Sequence, residues 1–392
     1  MIPARADVVI LGSGIAAQTA AETLRRYAPE MSIVMISREP GCLRPLLTKA
    51  RFERIGSPDL DCLDSSWLEA QSVVFVSADI TALCPQEHLV RTSAGTIGYG
   101  RCIYALGSDA FVPPIPGSTL EGVCPIRTLA HMRTIKRRLP DVRQAVVIGG
   151  GVIGLEAGQM LASYGVDTTI LEALPYLMPR VLDPETAEEY RKRLDNCRVE
   201  TGVNVRCITG DTEVTGVALA DGRQFPCQLV IVSCGVRSNI RIAREAGLDV
   251  DRGVVVRQDM RTSDPDVYAC GDCAQYNGQC SALWKPAMEQ GRVAAMEICG
   301  KQASFHPQSF PVMFYAPGAS LFAAGNLAIS PSESLRVVTT RSAADQSMLV
   351  NPRKNRAYSR LVYEGDRLVG AALIGDLSSM SAIQKLLAQG GI

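Results

Sequence analysis

Apolar runs that end at glycine alternate with amphipathic stretches along most of the chain. The first run, residues 6–11, stops at a glycine, and residues 15–27 then place small alanines on one side, as a helix packed on a sheet requires. The next apolar run, residues 32–37, completes a strand, helix and strand of the length that a parallel crossover needs. The N-terminal pattern therefore predicts a βαβ unit.

The same arrangement occurs a second time in the middle of the chain. Residues 145–148 are followed by a glycine-rich turn, a predicted helix over 155–164 and a predicted strand over 168–172. Two further apolar runs, 103–107 and 229–235, end in glycine at similar distances behind the two units, and we expect them to be closing strands. The chain thus contains two copies of the βαβ unit, and we expect each copy to belong to its own sheet of parallel strands.

The pattern changes in the last third of the chain. A strand over residues 267–269 and a helix around 288–299 are followed by short strands after about residue 306. Residues 359–363 and 368–374 flank a Gly365-Asp366 turn, which predicts a hairpin, and a last helix is expected over 378–389. This pattern predicts a small α+β domain at the C-terminus.

The expected fold is therefore α/β, with two Rossmann-like dinucleotide-binding domains plus a small α+β C-terminal domain. The first domain is discontinuous and covers residues 1–108 and 236–305, the second covers 109–235, and the third covers 306–392.

Charge and cysteine content exclude several other classes of protein. The 392 residues include 40 Lys and Arg against 40 Asp and Glu, so zero net charge argues against general nucleic-acid or membrane-surface binding. Residues 302–332 hold no Asp, Glu, Lys or Arg, but Pro307, Pro311, Pro317 and Asn326 interrupt them, so we expect no membrane span. Thirteen cysteines without a secretory signal favour the reducing cytoplasm.

The turn after the first predicted strand carries the chemistry of a phosphate site. In Gly12-Ser-Gly14-Ile-Ala16-Ala17, Gly12 allows a tight turn, Gly14 lets a phosphate approach the backbone, and Ala17 permits close packing of helix on strand. Glu39 follows the second strand at about the distance from which a carboxylate accepts hydrogen bonds from ribose hydroxyls. These residues predict a dinucleotide site.

The second turn carries the complete fingerprint Gly149-Gly-Gly151-Val152-Ile153-Gly154. Glu172 ends the following strand, and no basic residue comes directly after it. A carboxylate at this place accepts from the ribose 2′-hydroxyl and repels a 2′-phosphate, so we expect NADH to be preferred over NADPH.

Two dinucleotide sites in one chain indicate one tightly held cofactor and one that exchanges, as when a nicotinamide reduces a flavin. The order of five motifs along the chain resembles that of the FAD- and NAD(P)H-dependent pyridine nucleotide oxidoreductases. These motifs are the first fingerprint, Ala105-Leu-Gly107, the second fingerprint, Cys234-Gly235 and Tyr268-Ala-Cys-Gly271-Asp272. The chain is most similar to NADH:rubredoxin reductases, ferredoxin reductases of oxygenase systems and the N-terminal part of nitrite reductase large subunits. This resemblance covers essentially the whole chain, and residues 358–377 are similar to the C-terminal domain of rubredoxin reductases.

The resemblance implies FAD at the first site and NADH at the second. It implies that Asp272 binds the ribityl chain of FAD and that Arg44 and Lys49, in the Arg-Pro-Leu-Leu-Thr-Lys stretch, lie along the flavin. Arg127 and the helix start at Trp284 are also implied in FAD binding. Lys49 and Glu156 would face the flavin and the nicotinamide, where an ion pair could orient both rings. The activity implied is electron transfer from NADH to a small redox protein such as rubredoxin or ferredoxin.

Two alternatives to this activity stay open at this point. The Cys-x4-Cys pair of disulfide reductases is absent, but Cys42 lies in the loop where NADH oxidases and peroxidases carry a single redox cysteine. The chain could also be an FAD-binding electron-transfer subunit of a larger complex. Cys270 and Cys273 have CxxC spacing, yet they enclose the Gly-Asp pair and no second CxxC exists, so we expect no metal site.

The C-terminal segment, residues 307–392, has an excess of basic residues. Against five Asp and Glu it holds eight Lys and Arg, which are Arg336, Arg341, Arg353, Lys354, Arg356, Arg360, Arg367 and Lys385. Such a face would speed encounters with a small acidic electron carrier or a partner oxidoreductase. We therefore expect this segment to select the acceptor, and the sequence leaves a homodimer open.

Overall fold

The computed structural model describes residues 2–49, 52–55, 63–194, 196–307, 310–314, 319–327, 335–341 and 357–389. The α-helices of these residues are α1 (Ile15–Tyr27), α2 (Ser65–Ala70), α3 (Leu129–Arg138), α4 (Val152–Ser163), α5 (Pro184–Arg191), α6 (Arg241–Glu245), α7 (Trp284–Ile298) and α8 (Met380–Gln389).

The strands of the N-terminal half are β1 (Arg5–Leu11), β2 (Ile33–Ser37), β3 (Val73–Ser77), β4 (Ile80–Cys84), β5 (Leu89–Thr92), β6 (Gly95–Tyr104), β7 (Ser108–Ala110), β8 (Val123–Pro125), β9 (Gln144–Ile148), β10 (Asp167–Glu172) and β11 (Cys197–Thr201). Those that follow are β12 (Val205–Gly210), β13 (Val214–Leu219), β14 (Gln224–Pro226), β15 (Leu229–Val232), β16 (Val236–Ser238), β17 (Val254–Val255), β18 (Val267–Ala269), β19 (Ala274–Gln275), β20 (Val312–Phe314), β21 (Leu321–Gly325), β22 (Leu335–Arg341), β23 (Tyr358–Glu364) and β24 (Arg367–Ile374).

The chain divides into two compact units. The first comprises Met1–Ala110, Arg127–Leu129 and Gly235–Pro307, and the second comprises Phe111–Ile126, Ala130–Cys234 and Gln308–Ile392. The expected FAD-binding segments thus fall in the first unit, whereas most of the expected second and third domains falls in the second; Arg127–Leu129, expected in the second domain, belongs to the first unit. Whether residues 306–392 form a domain of their own stays a prediction.

The first unit is built on a seven-stranded sheet in the order β3-β2-β1-β6-β5-β4, with β18 also pairing with β6. β1 pairs in parallel with β2 and β6, as the βαβ pattern predicts. The expected closing strand 103–107 overlaps only the last two residues of β6, a strand that begins earlier, at Gly95, because three glycines dilute its apolar pattern.

Two helices cover one face of this sheet at close range. α1 buries Ala16, Ala17, Ala20 and Ala21. A Cβ at Gly291 of α7 would lie 2.2 Å from the backbone oxygen of Ala16, so only glycine allows this approach. The helix expected around residues 288–299 begins earlier, at Trp284, because Pro286 lies in its first turn, where the missing N–H costs no hydrogen bond.

The second unit contains a five-stranded parallel sheet in the order β11-β10-β9-β15-β8. The helix expected over residues 155–164 begins at Val152, because Gly151 of the fingerprint is its N-cap. The closing strand, β15, ends at Val232, three residues before Gly235. Among the helices of the described residues, none combines the length and hydrophobicity that a membrane span needs.

The C-terminal part of the second unit is an antiparallel sheet in the order β20-β21-β24-β23-β22. β23 and β24 form the predicted hairpin: Glu364 pairs with Arg367 around Gly365, whose φ is +58°. The expected last helix is α8, which begins at Met380 and buries Ile383.

Ion pairs connect this sheet to α5 within the second unit. Asp183 caps α5 and lies 3.3 Å from Nε of Arg360, whose Nη1 also donates to Glu185. Arg341 donates to the same Glu185 at 2.7 Å. Two of the basic residues expected to form an acceptor-docking face are thus compensated inside the protein. Arg353, Lys354 and Arg356 lie outside the described residues.

Candidate functional site

The turn between β1 and α1 is drawn tightly against the end of β6. Gly12 has a φ of +112°, and a Cβ at this position would lie 2.2 Å from the backbone oxygen of Ala105. Its N–H donates to the Ile36 carbonyl at 2.7 Å. Both the conformation and the contact require glycine, as the sequence predicts for this position.

The N-terminus of α1 is left open for a ligand. Gly14 is the N-cap, no side chain caps the helix, and its first turn has no acidic residue. A Cβ at Gly14 would meet no atom within 4 Å. The free N–H groups and the positive end of the helix dipole therefore suit an anion such as a pyrophosphate.

Polar side chains fix the shape of this turn. Ser13 Oγ donates to the backbone oxygen of Glu39 at 2.9 Å, and Gln18 Nε2 donates to the Ser13 carbonyl at 2.8 Å. The Glu39 side chain itself is exposed. The turn and the backbone of Glu39 are thus brought together, while a bond from the Glu39 carboxylate to ribose stays a prediction.

Asp272 is held by residues from three separate segments. Its Oδ2 accepts from Ser108 Oγ at 2.9 Å and from Nη2 of Arg127, and its backbone oxygen accepts from Ser238 Oγ at 2.7 Å. The Arg127 and Asp272 side chains are only 12% and 14% exposed. Within the described residues, Oδ1 of Asp272 has no hydrogen-bond donor, so it can accept one from a ligand hydroxyl.

Arg44 joins this group from the loop after β2. Burial lowers the pKa of Arg127, the charge of Arg44 lowers it further, and the Asp272 carboxylate opposes both effects. A Cβ at Gly107 would lie 3.6 Å from Nη1 of Arg44. The structure therefore brings together four of the predicted FAD residues, and the group fits a ligand that carries both hydroxyl and anionic groups.

Helix α7 supports the Asp272 loop from the other side. Gln290 is 2% exposed, and its Oε1 accepts from the N–H of Gly271 at 2.8 Å. Gly271 has a φ of +80°. At Trp284, where α7 begins, no side chain caps the helix. The sequence singled out Trp284 and Gly271 but missed Gln290, Ser108 and Ser238, because only tertiary contacts reveal their role.

The second fingerprint repeats the geometry of the first. Gly149 also has a φ of +112°, and its Cβ would lie 2.3 Å from the backbone oxygen of Ser233. Gly151 is the uncapped N-cap of α4 with no atom within 4 Å of a Cβ, and a Cβ at Gly154 would lie 1.9 Å from the Gly149 oxygen. Ile153 in the first turn is 38% exposed. The N-terminus of α4 can thus also receive an anion.

Glu172 is tied to this second turn. Its side chain is buried, Oε2 accepts from the N–H of Gly150 at 2.6 Å, and Oε1 accepts from the N–H of Leu174 at 2.8 Å. The carboxylate therefore has a fixed position at the end of β10. Each oxygen keeps a second lone pair that a ribose hydroxyl could use.

Lys49 and Glu156 lie in different units, so their pairing stays a prediction. Lys49 is exposed in the first unit, and Glu156 is 8% exposed on α4 of the second. Burial raises the pKa of Tyr190 on α5 well above its ordinary value, and the Glu156 carboxylate contributes to this rise. The sequence analysis did not anticipate this buried neighbour of Glu156.

The cysteines differ in their surroundings. Cys42 is half-buried, while Cys270 and Cys273 are fully buried. Burial raises the pKa of Cys273 to about 12 and that of Cys270 well above its usual range. Both thiols of this CxxC are therefore protonated and unreactive at neutral pH.

Comparisons with known proteins support the interpretation of both turns. The pyridine nucleotide-disulphide oxidoreductase family model matches residues 6–296, and the model of the rubredoxin NAD+ reductase C-terminal domain matches residues 316–391. The NAD(P)H nitrite reductase of Bacillus subtilis (strain 168) is 29% identical over 97% of this chain, which spans only 47% of that protein.

Two further relatives match over most of their own length. The rubredoxin-NAD(+) reductase of Pseudomonas putida is 30% identical over 87% of this chain and 92% of that protein. The crystal structure of the ferredoxin reductase for the CYP199A2 system of Rhodopseudomonas palustris has a TM-score of 0.85 at 26% identity, covering 98% of this chain and 96% of that one.

The resemblance inferred from the motifs is thus confirmed, and FAD and NAD(H) are the cofactors that it implies. With both glycine turns inside the matched residues, the chain belongs to the pyridine nucleotide-disulphide oxidoreductase family.

Proposed function

We propose that this protein takes electrons from NADH and passes them to a small redox protein such as a rubredoxin or ferredoxin. The observation that carries the proposal is the pair of uncapped helix N-termini, α1 and α4, each behind a glycine with a φ of +112°. Two such sites suit one resident and one exchanging dinucleotide. The match of residues 316–391 to the rubredoxin reductase C-terminal domain supports the class of acceptor.

The first unit would hold FAD. The N-terminus of α1 and the open space at Gly14 suit its pyrophosphate, Oδ1 of Asp272 suits a ribityl hydroxyl, and Arg44 and Trp284 would line the flavin. Bound FAD supplies the exchange between two-electron transfer from a nicotinamide and one-electron transfer to a carrier. The residues of this chain contribute position and exclusion of water rather than acid–base chemistry on a substrate.

The second unit would hold NADH at α4. Glu172 is proposed to accept from the ribose 2′-hydroxyl and to disfavour NADPH, because a buried carboxylate fixed by two N–H groups cannot move away from a 2′-phosphate. The same two hydrogen bonds give Glu172 a second role, since they shape the turn around Gly150.

A second candidate function is that of the electron-transfer part of a larger enzyme. The chain spans only 47% of the Bacillus subtilis nitrite reductase that it resembles. In that case the acceptor would be another domain or subunit, and isolated carriers would be reduced slowly while a small dye is reduced rapidly.

The proposed function predicts a defined sequence of spectral changes. Purified protein that contains FAD, mixed anaerobically with NADH, should lose the visible absorbance of oxidised flavin, and added rubredoxin should restore it. Absence of bleaching by NADH would refute the proposal. Consumption of O2 that matches NADH oxidation and disappears in C42S would instead indicate an NADH oxidase.

Replacing Glu172 separates its two roles. E172A leaves two backbone N–H groups without an acceptor, so kcat/KM for NADH should fall about 10- to 100-fold. E172Q keeps an acceptor without the charge, so it should retain more NADH activity while its use of NADPH rises. The measurement is kcat/KM for both nucleotides with a saturating dye. A wild-type preference for NADPH, or an unchanged ratio in both variants, would contradict the assignment.

Lys49 and Glu156 are proposed to flank the two rings. K49A and E156Q should slow stopped-flow reduction of the flavin by NADH about 10-fold or more, because ring alignment is lost, while FAD stays bound. K192A, at an exposed lysine of α5's C-cap, is the matched control and should reduce normally. Unchanged rates in both K49A and E156Q would show that the pair has no role in alignment.

A further inference from the structure

One stretch of the chain departs from its overall charge balance. Residues 122–140 contain five Lys and Arg and no Asp or Glu, in a protein whose formal net charge is zero. The stretch includes all of α3, whose last turn holds three of these cations. The described residues therefore include a concentrated basic segment outside the predicted acceptor domain.

Helix α3 separates apolar from basic residues. Leu129, Met132 and Ile135 are at most 8% exposed and form its inner side. Arg133 and Arg137, one turn apart, are exposed. Lys136 lies three residues after Arg133, next to the same outer face. We call Arg133, Lys136 and Arg137 the α3 basic face.

The two cations outside this face are compensated by acids. Arg127 is paired with Asp272, and Arg138 lies 3.5 Å from Glu213 and 4.0 Å from Glu121. In contrast, neither Arg133 nor Arg137 forms an ion pair with any acid in the described parts of the chain, and Arg137 donates only to Thr134 Oγ1 at 3.3 Å. The stretch thus pairs Arg127 and Arg138 with acids and leaves Arg133 and Arg137 exposed, while Lys136 is half-buried.

The two exposed arginines of this face repel each other unless an anion is present. Arg133 and Arg137 are four residues apart, a spacing at which like charges repel on a helix. The exposed Arg143 follows shortly after, and the exposed Asp141 between them offsets part of this positive charge. An acidic surface bound here would remove the repulsion and gain direct attraction.

The C-terminal sheet offers less free charge among the described residues. Arg341 and Arg360 are paired with Glu185 and Asp183, and Arg336 lies over the ring of Tyr363, 4.6 Å from its centroid. Among the described residues, the exposed Arg133 and Arg137 of α3 are therefore better placed than these strands to bind an acidic partner.

We propose that the α3 basic face, together with Arg143, docks the acidic surface of the electron-accepting carrier. This inference rests on the proposed function and assigns the carrier's binding surface, which the sequence had placed in residues 307–392. A small acidic carrier fits a patch built on a few exposed arginines, whereas a polyanion such as DNA would meet a chain with no further excess of positive charge.

Charge reversal tests this surface. R133E/R137E should raise KM for a purified acidic rubredoxin about 10-fold at low salt, with the effect shrinking at about 0.5 M salt as the encounter is screened. Flavin reduction by NADH and reduction of a small uncharged quinone should not change. R26E/R206E, at exposed arginines elsewhere, makes the same change in net charge and should leave KM within about twofold.

Calorimetric titration with oxidised rubredoxin measures docking without turnover, so a failure of docking and a failure of the function can be told apart. If NADH does not reduce the wild-type flavin, the proposed function is wrong. If the reactions with NADH and quinone are normal but R133E/R137E binds rubredoxin as tightly as R26E/R206E does, only the docking surface is refuted. The docking surface would also be refuted if only R353E/K354E/R356E raised KM for rubredoxin. It would equally be refuted if R133E/R137E weakened binding of duplex DNA and left rubredoxin binding unchanged.

Discussion

Both candidate sites depend on a helix N-terminus that the protein leaves uncapped. Gly12 and Gly149 share a φ of +112°, and each brings its turn so close to a neighbouring strand end that a Cβ would lie 2.2 or 2.3 Å from a carbonyl oxygen. At the N-caps of α1 and α4, Gly14 and Gly151, a Cβ would meet no atom within 4 Å, and no side chain caps either helix. The first four backbone N–H groups of a helix have no acceptor within the helix. An anionic ligand bound at α1 or α4 would therefore provide acceptors that the protein does not.

The surrounding contacts keep these turns rigid by different means. In the first unit, α7 packs against α1 through Gly291, and the amide of Gln290 fixes the Gly271 backbone beside Asp272. In the second, Glu172 accepts from the N–H groups of Gly150 and Leu174, and the N–H of Met178 donates to the Gly150 carbonyl at 3.2 Å. Glu172 would therefore both select the nucleotide by its charge and shape the turn by its hydrogen bonds. Only E172Q, which removes the charge but keeps an acceptor, separates these two effects.

Local features of the sequence were predictable, and features that need distant segments were not. The fingerprints and the Gly365 hairpin follow from glycine conformation and strand alternation within a few residues. The partners of Asp272 could not be foreseen in full, because Ser108 and Ser238 reach it from segments 164 and 34 residues away. The predicted basic docking face treated Arg341 and Arg360 as free charges, whereas their pairing with α5 depends on tertiary packing.

The most direct test of the uncapped-helix account is the affinity for NADH and FAD of G151A and G14A. Both glycines have ordinary negative φ values and open space around a Cβ, so alanine should cost the protein at most about 1 kcal/mol of stability. The account predicts that G151A keeps its FAD but binds NADH at least about 10-fold more weakly, and that G14A loses FAD. Unchanged NADH affinity in a folded, FAD-containing G151A would contradict it.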